Sequence, residues 1–316
     1  MRSLQMAIIG LLVLLNTACK GSKEVAEEKT EKPVKETMST GIPPGNQSLF
    51  WQVRGKDIEK PSYIYGTIHV ISAEDYFLGA NVKQKLVEAD KLIMEIDFDE
   101  MDMNAIAGAG LLPDNKTIKD YLSEEDYEFI STRLSDSIGL SRSQFESAYA
   151  RMKPIFIQQL VVYKFLGENP ASYESNFNEL AGMHNVASYG LETFREQLEF
   201  LDQIPIEEQL QDMVTAIRDW HETKAQYQKM IAAYKDQDLD VLNHLIEDEM
   251  ESPKMKELLL NKRNTQWMPE LTTWIDEGNA FIAVGAGHLE GEFGVINLLR
   301  RAGYEVWPYP IGEDVD

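Results

Sequence analysis

Tyr63-Ile64-Tyr65-Gly66-Thr67-Ile68-His69 and Phe281-Ile282-Ala283-Val284-Gly285-Ala286-Gly287-His288 decide the fold. Each is a short apolar run that ends in Gly-x-x-His, bounded by polar or turn residues, so each reads as a buried strand with a histidine where the strand gives way to a loop. In open α/β sheets that edge is where ligands bind. The glycine three places earlier lacks a Cβ and lets another group approach the backbone. Chance alone would place glycine there for two of five histidines with a probability of roughly 5%. Two core histidines satisfied by backbone carbonyls would also fit the spacing.

The flanks extend the parallel. Behind His69 comes a helical pattern, Ala80 to Asp90, and then the apolar run Lys91-Leu92-Ile93-Met94-Glu95-Ile96. Behind His288 comes a helical pattern, Phe293 to Arg301, and then Ala302 to Trp307. Strand, Gly-x-x-His, helix, strand therefore occurs twice, as a duplicated β-α-β unit would. The expected fold is α/β, with a central mixed, largely parallel sheet built from two such halves. Symmetry would bring His69 and His288 to neighbouring strand ends, and residues 101–277 would form a long helical insertion.

Within that insertion, Ser123-Glu124-Glu125-Asp126 and Ser141-Arg142-Ser143-Gln144 open helices like capping boxes. Pro154 should end or kink the helical pattern from Phe145 to Leu166. Ile206 to Tyr234 is one long amphipathic pattern, and Asp238 and Ser252-Pro253 look like further helix starts. Val186-Ala187-Ser188-Tyr189-Gly190 reads as a strand, from which Glu192 emerges through a glycine. His221 and His244 fall in helices and read as structural or exposed.

The N-terminus sets the compartment. Met6 to Leu15 is apolar, follows Met1-Arg2 and ends at Asn16-Thr17-Ala18-Cys19, a secretory signal too short for a comfortable membrane span. Cys19 is the chain's only cysteine, which excludes a disulfide framework. Its position resembles a bacterial lipoprotein signal, in which the cysteine is lipidated after removal of residues 1–18; an ordinary signal peptide cut nearby is the alternative. Residues 19–47 have the Lys, Glu, Ser, Thr and Pro composition of a flexible tether, and residues 48–312 remain for the folded domain. The expected location is the cell envelope, with the chain lipid-anchored to a bacterial membrane on its periplasmic or outer-membrane side. The formal charge of −23 argues against nucleic acid and against a polybasic membrane patch, leaving the N-terminal lipid as the membrane contact.

His69, Glu95, Glu192 and His288 thus form a set of polar residues at strand ends. Two imidazoles and one or two carboxylates suit a divalent metal such as zinc, manganese or cobalt. Such an ion could polarise a carbonyl and acidify water, with a spare glutamate as general base. Glu95 lies in an apolar strand, where an unpaired carboxylate is costly; a salt bridge to a buried arginine would also explain it. Glu192 could equally cap the helix that begins near Thr193.

The chain resembles the TraB/GumN family, related to the Tiki proteases of animals. The matching pieces are Tyr65 to His69, Glu95, Met152-Lys153-Pro154, Gly190-Leu191-Glu192-Thr193, Arg263-Asn264, Val284 to His288 and Gly303-Tyr304, in order from Leu49 to Pro308. One departure is Ser175-Asn176-Phe177-Asn178, where the family usually carries an aspartate. The resemblance implies an α/β core with a helical insertion, in a superfamily that includes erythromycin esterases and a haem-binding lipoprotein. It implies a metal-dependent peptidase acting on peptide or protein, with His69 and His288 as metal ligands and Glu95 as ligand or general base. Glu192 would be a second acidic member, and Arg263 and Asn264 would stabilise developing negative charge. Arg263 could instead be a buried partner of Glu95 or Glu192. The alternative function is a non-catalytic haem- or ligand-binding lipoprotein, with axial ligands from the histidines or from Tyr63, Tyr65 or Tyr76. An envelope scaffold is a third reading. Oligomeric state is not encoded in these patterns.

Overall fold

The computed structural model describes residues 48–55, 58–97, 108–139, 141–167, 169–250 and 253–313. Residues 1–47, on which the expected signal, the lipidation of Cys19 and the expected tether fall, lie outside them, as does Ser252.

The long apolar runs form the middle of a sheet. Strands β1 (Phe50–Arg54), β2 (Ser62–Thr67), β4 (Lys91–Met94), β6 (Ala187–Gly190), β7 (Ala280–Gly285) and β8 (Glu305–Pro308) lie in the order β6-β4-β7-β2-β1-β8. β6, β4, β7 and β2 are mutually parallel, and β1 runs antiparallel between β2 and β8. The fold is therefore α/β with a mixed, partly parallel sheet. β2 and β7 are buried along their whole length, which explains why both read as continuous apolar runs rather than as alternation. β6 is an edge strand with alternating exposure.

Register fixes the site. Thr67 is opposite Gly285, and Met94 is opposite both Ala283 and Gly190. The C-terminal ends of β2, β4, β6 and β7 therefore form one continuous lip.

The α-helices pack on the sheet or form the helical region beside it. They are α1 (Ala80–Val87), α2 (Glu124–Ile138), α3 (Arg142–Ala148), α4 (Pro154–Phe165), α5 (Tyr173–Met183), α6 (Phe194–Leu201), α7 (Ile206–Arg218), α8 (Trp220–Lys235), α9 (Leu239–Glu249), α10 (Pro253–Lys256), α11 (Lys262–Glu277) and α12 (Val295–Arg301). Ser123, Ser141 and Asp238 cap α2, α3 and α9 as their positions predict. Pro154 takes the first position of α4, where its missing N–H costs nothing.

The single long helix expected over Ile206 to Tyr234 is instead two. Asp219 leaves the helical region at φ −94, ψ 35, and α8 begins at the next residue. The Thr223 hydroxyl donates to Ala216 O and Asp219 O across the joint, a local bond that amphipathic spacing cannot reveal. A short sheet of β3 (Val70–Ser72) and β5 (Pro170–Ser172) also escaped the pattern, because three residues carry no readable period.

Two apolar clusters hold the molecule. The main one packs both faces of the sheet and includes Trp51, Tyr65, Phe177 and Phe281. The second lies in the helical region, around Tyr127, Phe145, Leu210 and Met213. α4 joins them: Ile155, Phe156 and Val162 enter the first cluster, and Ile157 and Val161 the second. A helix apolar on nearly every face is one buried on nearly every face.

Candidate metal centre

His69, Glu95, Glu192 and His288 meet at the lip of the sheet. His69 follows β2 in the left-handed region, φ 57, a conformation that costs a non-glycine residue energy and gathers at functional sites. It persists because neighbours fix it. Val70 N donates to Ile68 O at 2.6 Å, closing a three-residue turn, and Tyr173 N donates to His69 O at 3.0 Å.

The side chain is held from the same helix. His69 Nδ1 lies 2.6 Å from Glu174 Oε1, which also accepts from the Thr67 hydroxyl at 2.5 Å. A carboxylate only accepts, so Nδ1 carries the proton and Nε2 faces the site. Burial works against a charge on His69, but Glu174 and Glu95 outweigh it and raise its pKa.

His288 is oriented by a different device. Asn264 Nδ2 donates to His288 O at 3.1 Å and to Phe293 O at 2.9 Å, so its Oδ1 turns to His288 Nδ1, at 2.6 Å. Nδ1 is again the protonated nitrogen and Nε2 the bare one. Burial, with Arg263 and His69 adding repulsion, holds the His288 pKa down to about 3 despite the attraction of Glu95. Its ring packs on Trp267, with centroids 4.6 Å apart.

Both Nε2 atoms point at one oxygen. Glu95 Oε1 lies 3.8 Å from His69 Nε2 and 3.7 Å from His288 Nε2, and accepts from Gly285 N at 2.8 Å. Burial opposes the Glu95 charge, but His288, Arg263, His69 and the Gly285 N–H together hold its carboxyl below the ordinary range.

Arg263 occupies the other side. Its Nη2 donates to Glu95 Oε2 at 2.5 Å and to Glu192 Oε1, its Nε to both Glu192 oxygens at 3.0 and 3.2 Å, and its Nη1 to His288 Nε2 at 3.1 Å. Nη1 also donates to Leu259 O at 3.0 Å. Leu259 belongs to a π-turn, Glu257–Asn261, just before α11. Such wide turns interrupt the regular i to i+4 ladder and occur at functional sites. Glu192 also accepts from Trp267 Nε1 at 3.1 Å, and burial raises its pKa against the pull of Arg263.

All five expected site residues other than Cys19 thus converge with His288: His69, Glu95, Glu192, Arg263 and Asn264. Arg263 is a buried partner of both glutamates, and the Asn264 amide is committed to His288 and Phe293. Sequence reasoning missed Thr67, Glu174, Gln197 and Trp267. Glu174 stands one residue before the stretch in which an aspartate was sought. In the sequence it looks like an ordinary acid in the first turn of a helix. Gln197 Nε2 donates to Glu95 Oε2 at 3.3 Å. Of the tyrosines considered as axial ligands, Tyr63 accepts from Gln52 through its hydroxyl, and the Tyr65 hydroxyl lies 3.4 Å from that of Tyr234. His184, His221 and His244 are exposed.

The donor set fits a divalent ion. Tetrahedral ligands at the usual bond lengths stand about 3.4 Å apart, a few tenths of an ångström below the separations measured from Glu95 Oε1. As they stand, no three His, Cys, Asp or Glu side chains among the described residues are grouped to hold an ion. Nη1 of Arg263 takes the His288 lone pair that an ion would need. Two carboxyl groups, of Glu95 and Glu192, share the single guanidinium of Arg263, and a third, of Glu174, stands behind His69, so a further cation is electrostatically favoured.

The described residues include no helix long and apolar enough to cross a membrane. No solved structure matches the chain. YbaP of Shigella flexneri is 24% identical, over 76% of this chain and 88% of its own length. YbaP of Escherichia coli is also 24% identical, over 75% and 87%. Metalloprotease TIKI1 of Danio rerio is 22% identical over 84% of this chain, which spans 64% of that protein. Residues 49–308 match the model of the TraB/PrgY/gumN family, and the chain belongs to that family.

Proposed function

We propose that the protein is a divalent-metal-dependent hydrolase, acting on peptide bonds through metal-activated water and tethered to the cell envelope by a lipid on Cys19. One observation carries the reading. The Nε2 atoms of His69 and His288 face a single oxygen of Glu95, each ring being fixed through its other nitrogen. A hydrogen bond from the remote nitrogen to a carboxylate or carbonyl is what orients histidine ligands. Family membership and the similarity to a metalloprotease support the same class of chemistry.

His69 Nε2, His288 Nε2 and Glu95 Oε1 would hold the ion. There it would polarise a carbonyl and lower the pKa of a water. Arg263 and Gln197 keep the second Glu95 oxygen in place. Arg263 Nη1, released from His288, would be the nearest donor to negative charge developing on the substrate. Glu192 and Trp267 hold that guanidinium at the site. Gly66 to His69 and Gly285 to His288 come from the ends of the paired parallel strands β2 and β7.

The test is metal analysis of the purified chain after reconstitution, beside His69→Ala and His288→Ala. One equivalent bound by the parent and lost from both variants is expected. No stoichiometric metal, or equal retention by the variants, refutes the reading. For the tether, Cys19→Ser is expected to move the protein from the membrane fraction to the soluble one, and an unchanged membrane fraction would refute lipidation.

A further inference from the structure

A small pocket opens beside the two imidazoles. Its wall consists of Met230 from α8, Leu242 and Ile246 from α9, Met250, and Leu260 from the π-turn. All five are buried. His69 and Gly287, at its rim, are half-buried. Apart from the imidazoles, no ionisable group but the Tyr234 phenol lines it, and that hydroxyl is committed to Gly66 O at 3.0 Å.

We infer that this pocket takes one uncharged aliphatic side chain of the substrate, of leucine or methionine size, at the residue beside the bond that is cut. The inference rests on the hydrolase reading above. Three observations support it. The pocket holds about 60 Å³, room for roughly four or five heavy atoms. A carboxylate or ammonium would find no partner on its wall and would be desolvated at high cost. Gly287 keeps the passage open: a Cβ there would stand 3.0 Å from Ile246 Cδ1 and 3.9 Å from Leu260 Cδ2. The pocket also touches the candidate ligands themselves, so a side chain seated in it would bring its own backbone to His69 and His288. Two of the five wall residues are methionines, whose unbranched chains adapt to ligands of different branching.

The experiment is a titration of the full chain, ¹³C-labelled at Met and Ile methyls, with the N-acetyl amides of glycine, leucine, aspartate and lysine. Leucine amide is expected to shift the Met230, Met250 and Ile246 signals, with a Kd at least tenfold below those of the other three. Ile246→Phe, which fills the pocket, should lose that preference. Ile246→Ala, which enlarges it, should bind the phenylalanine amide better than the parent does. Equal binding of the four amides, no binding, or leucine binding unchanged in a folded Ile246→Phe would overturn the inference. Metal content, measured separately, decides the hydrolase reading. Leucine preference without metal leaves the pocket and removes the peptidase; metal without side-chain preference does the reverse.

Discussion

Gly285 stands directly against the imidazole of His69. A Cβ on Gly285 would lie 2.8 Å from His69 Nε2 and 3.3 Å from Glu95 Oε1. The relation is reciprocal, since a Cβ on Gly66 would meet Leu289 Cδ1 at 2.7 Å and Ala286 Cα at 3.2 Å, in the segment that carries His288. Each strand's glycine makes room for the turn that follows the other strand. Parallel pairing of β2 with β7, with Thr67 opposite Gly285, brings this about.

Gly285→Ala is therefore a steric probe of the centre. The backbone there, φ −53 and ψ 137, suits alanine, so any effect comes from the new methyl. Displacing the His69 ring should cost about 1–3 kcal/mol of stability, as overpacking does, and weaken metal binding. Urea unfolding and metal titration check both, and a variant as stable as the parent with full metal affinity would contradict the geometry.

Glu174 fixes the tautomer of His69. Glu174→Gln can still accept from Nδ1 but brings no charge, and Glu174→Ala removes the contact. Loss of such a support typically weakens metal binding about 10- to 100-fold. The order expected in a competition assay with a chelating dye is parent, then Gln, then Ala. Equal affinities would show that the contact does not orient a ligand.

Arg263 neutralises two buried carboxylates. Arg263→Met leaves Glu95 and Glu192 facing each other without a cation, and breaking a buried pair in this way costs about 3–5 kcal/mol. Adding the double change Glu95→Gln with Glu192→Gln to that variant should recover part of the loss. Unfolding midpoints in urea measure both, and a stable single variant would mean that the glutamates find another partner.

His288 makes the metal-free protein acid-sensitive. Its pKa is held down to about 3 by burial, with Arg263 and His69 adding to it against the attraction of Glu95, whereas an unfolded chain's histidine titrates near 6.5. As pH falls below 6.5 the unfolded state takes up a proton that the folded state refuses, so stability falls with pH. From pH 6 to pH 5 this linkage amounts to about 1 kcal/mol. His69 and Glu192, whose pKa values are raised, oppose the trend. The comparison is therefore the slope of the parent against that of His288→Asn, which should lack this component. Equal slopes would contradict a neutral His288.

How much of this was legible follows residue by residue. β2, β4 and β7 were legible because strands buried on both faces are continuous apolar runs. β1 was not, since Phe50-Trp51-Gln52-Val53-Arg54 carries a polar residue at its centre, and Gln52 is buried through its bond to Tyr63. The helix starts at Ser123, Ser141 and Asp238 were legible because a capping bond joins residues three apart. His69, Glu95, Glu192 and His288 were legible as polar residues where strands end. Glu174 was not, because its role depends on where α5 begins relative to β2, 105 residues away along the chain from His69.

The sequence alone determined which segments are buried and where polar groups interrupt them, because burial and capping are local consequences of side-chain chemistry. Only the tertiary structure decided that β7 inserts between β2 and β4, that the glycine of one histidine's strand clears space for the other histidine, and that Arg263 closes the charge balance. Those are contacts between distant residues, and strand order and register, which no local pattern specifies, bring them within bonding range.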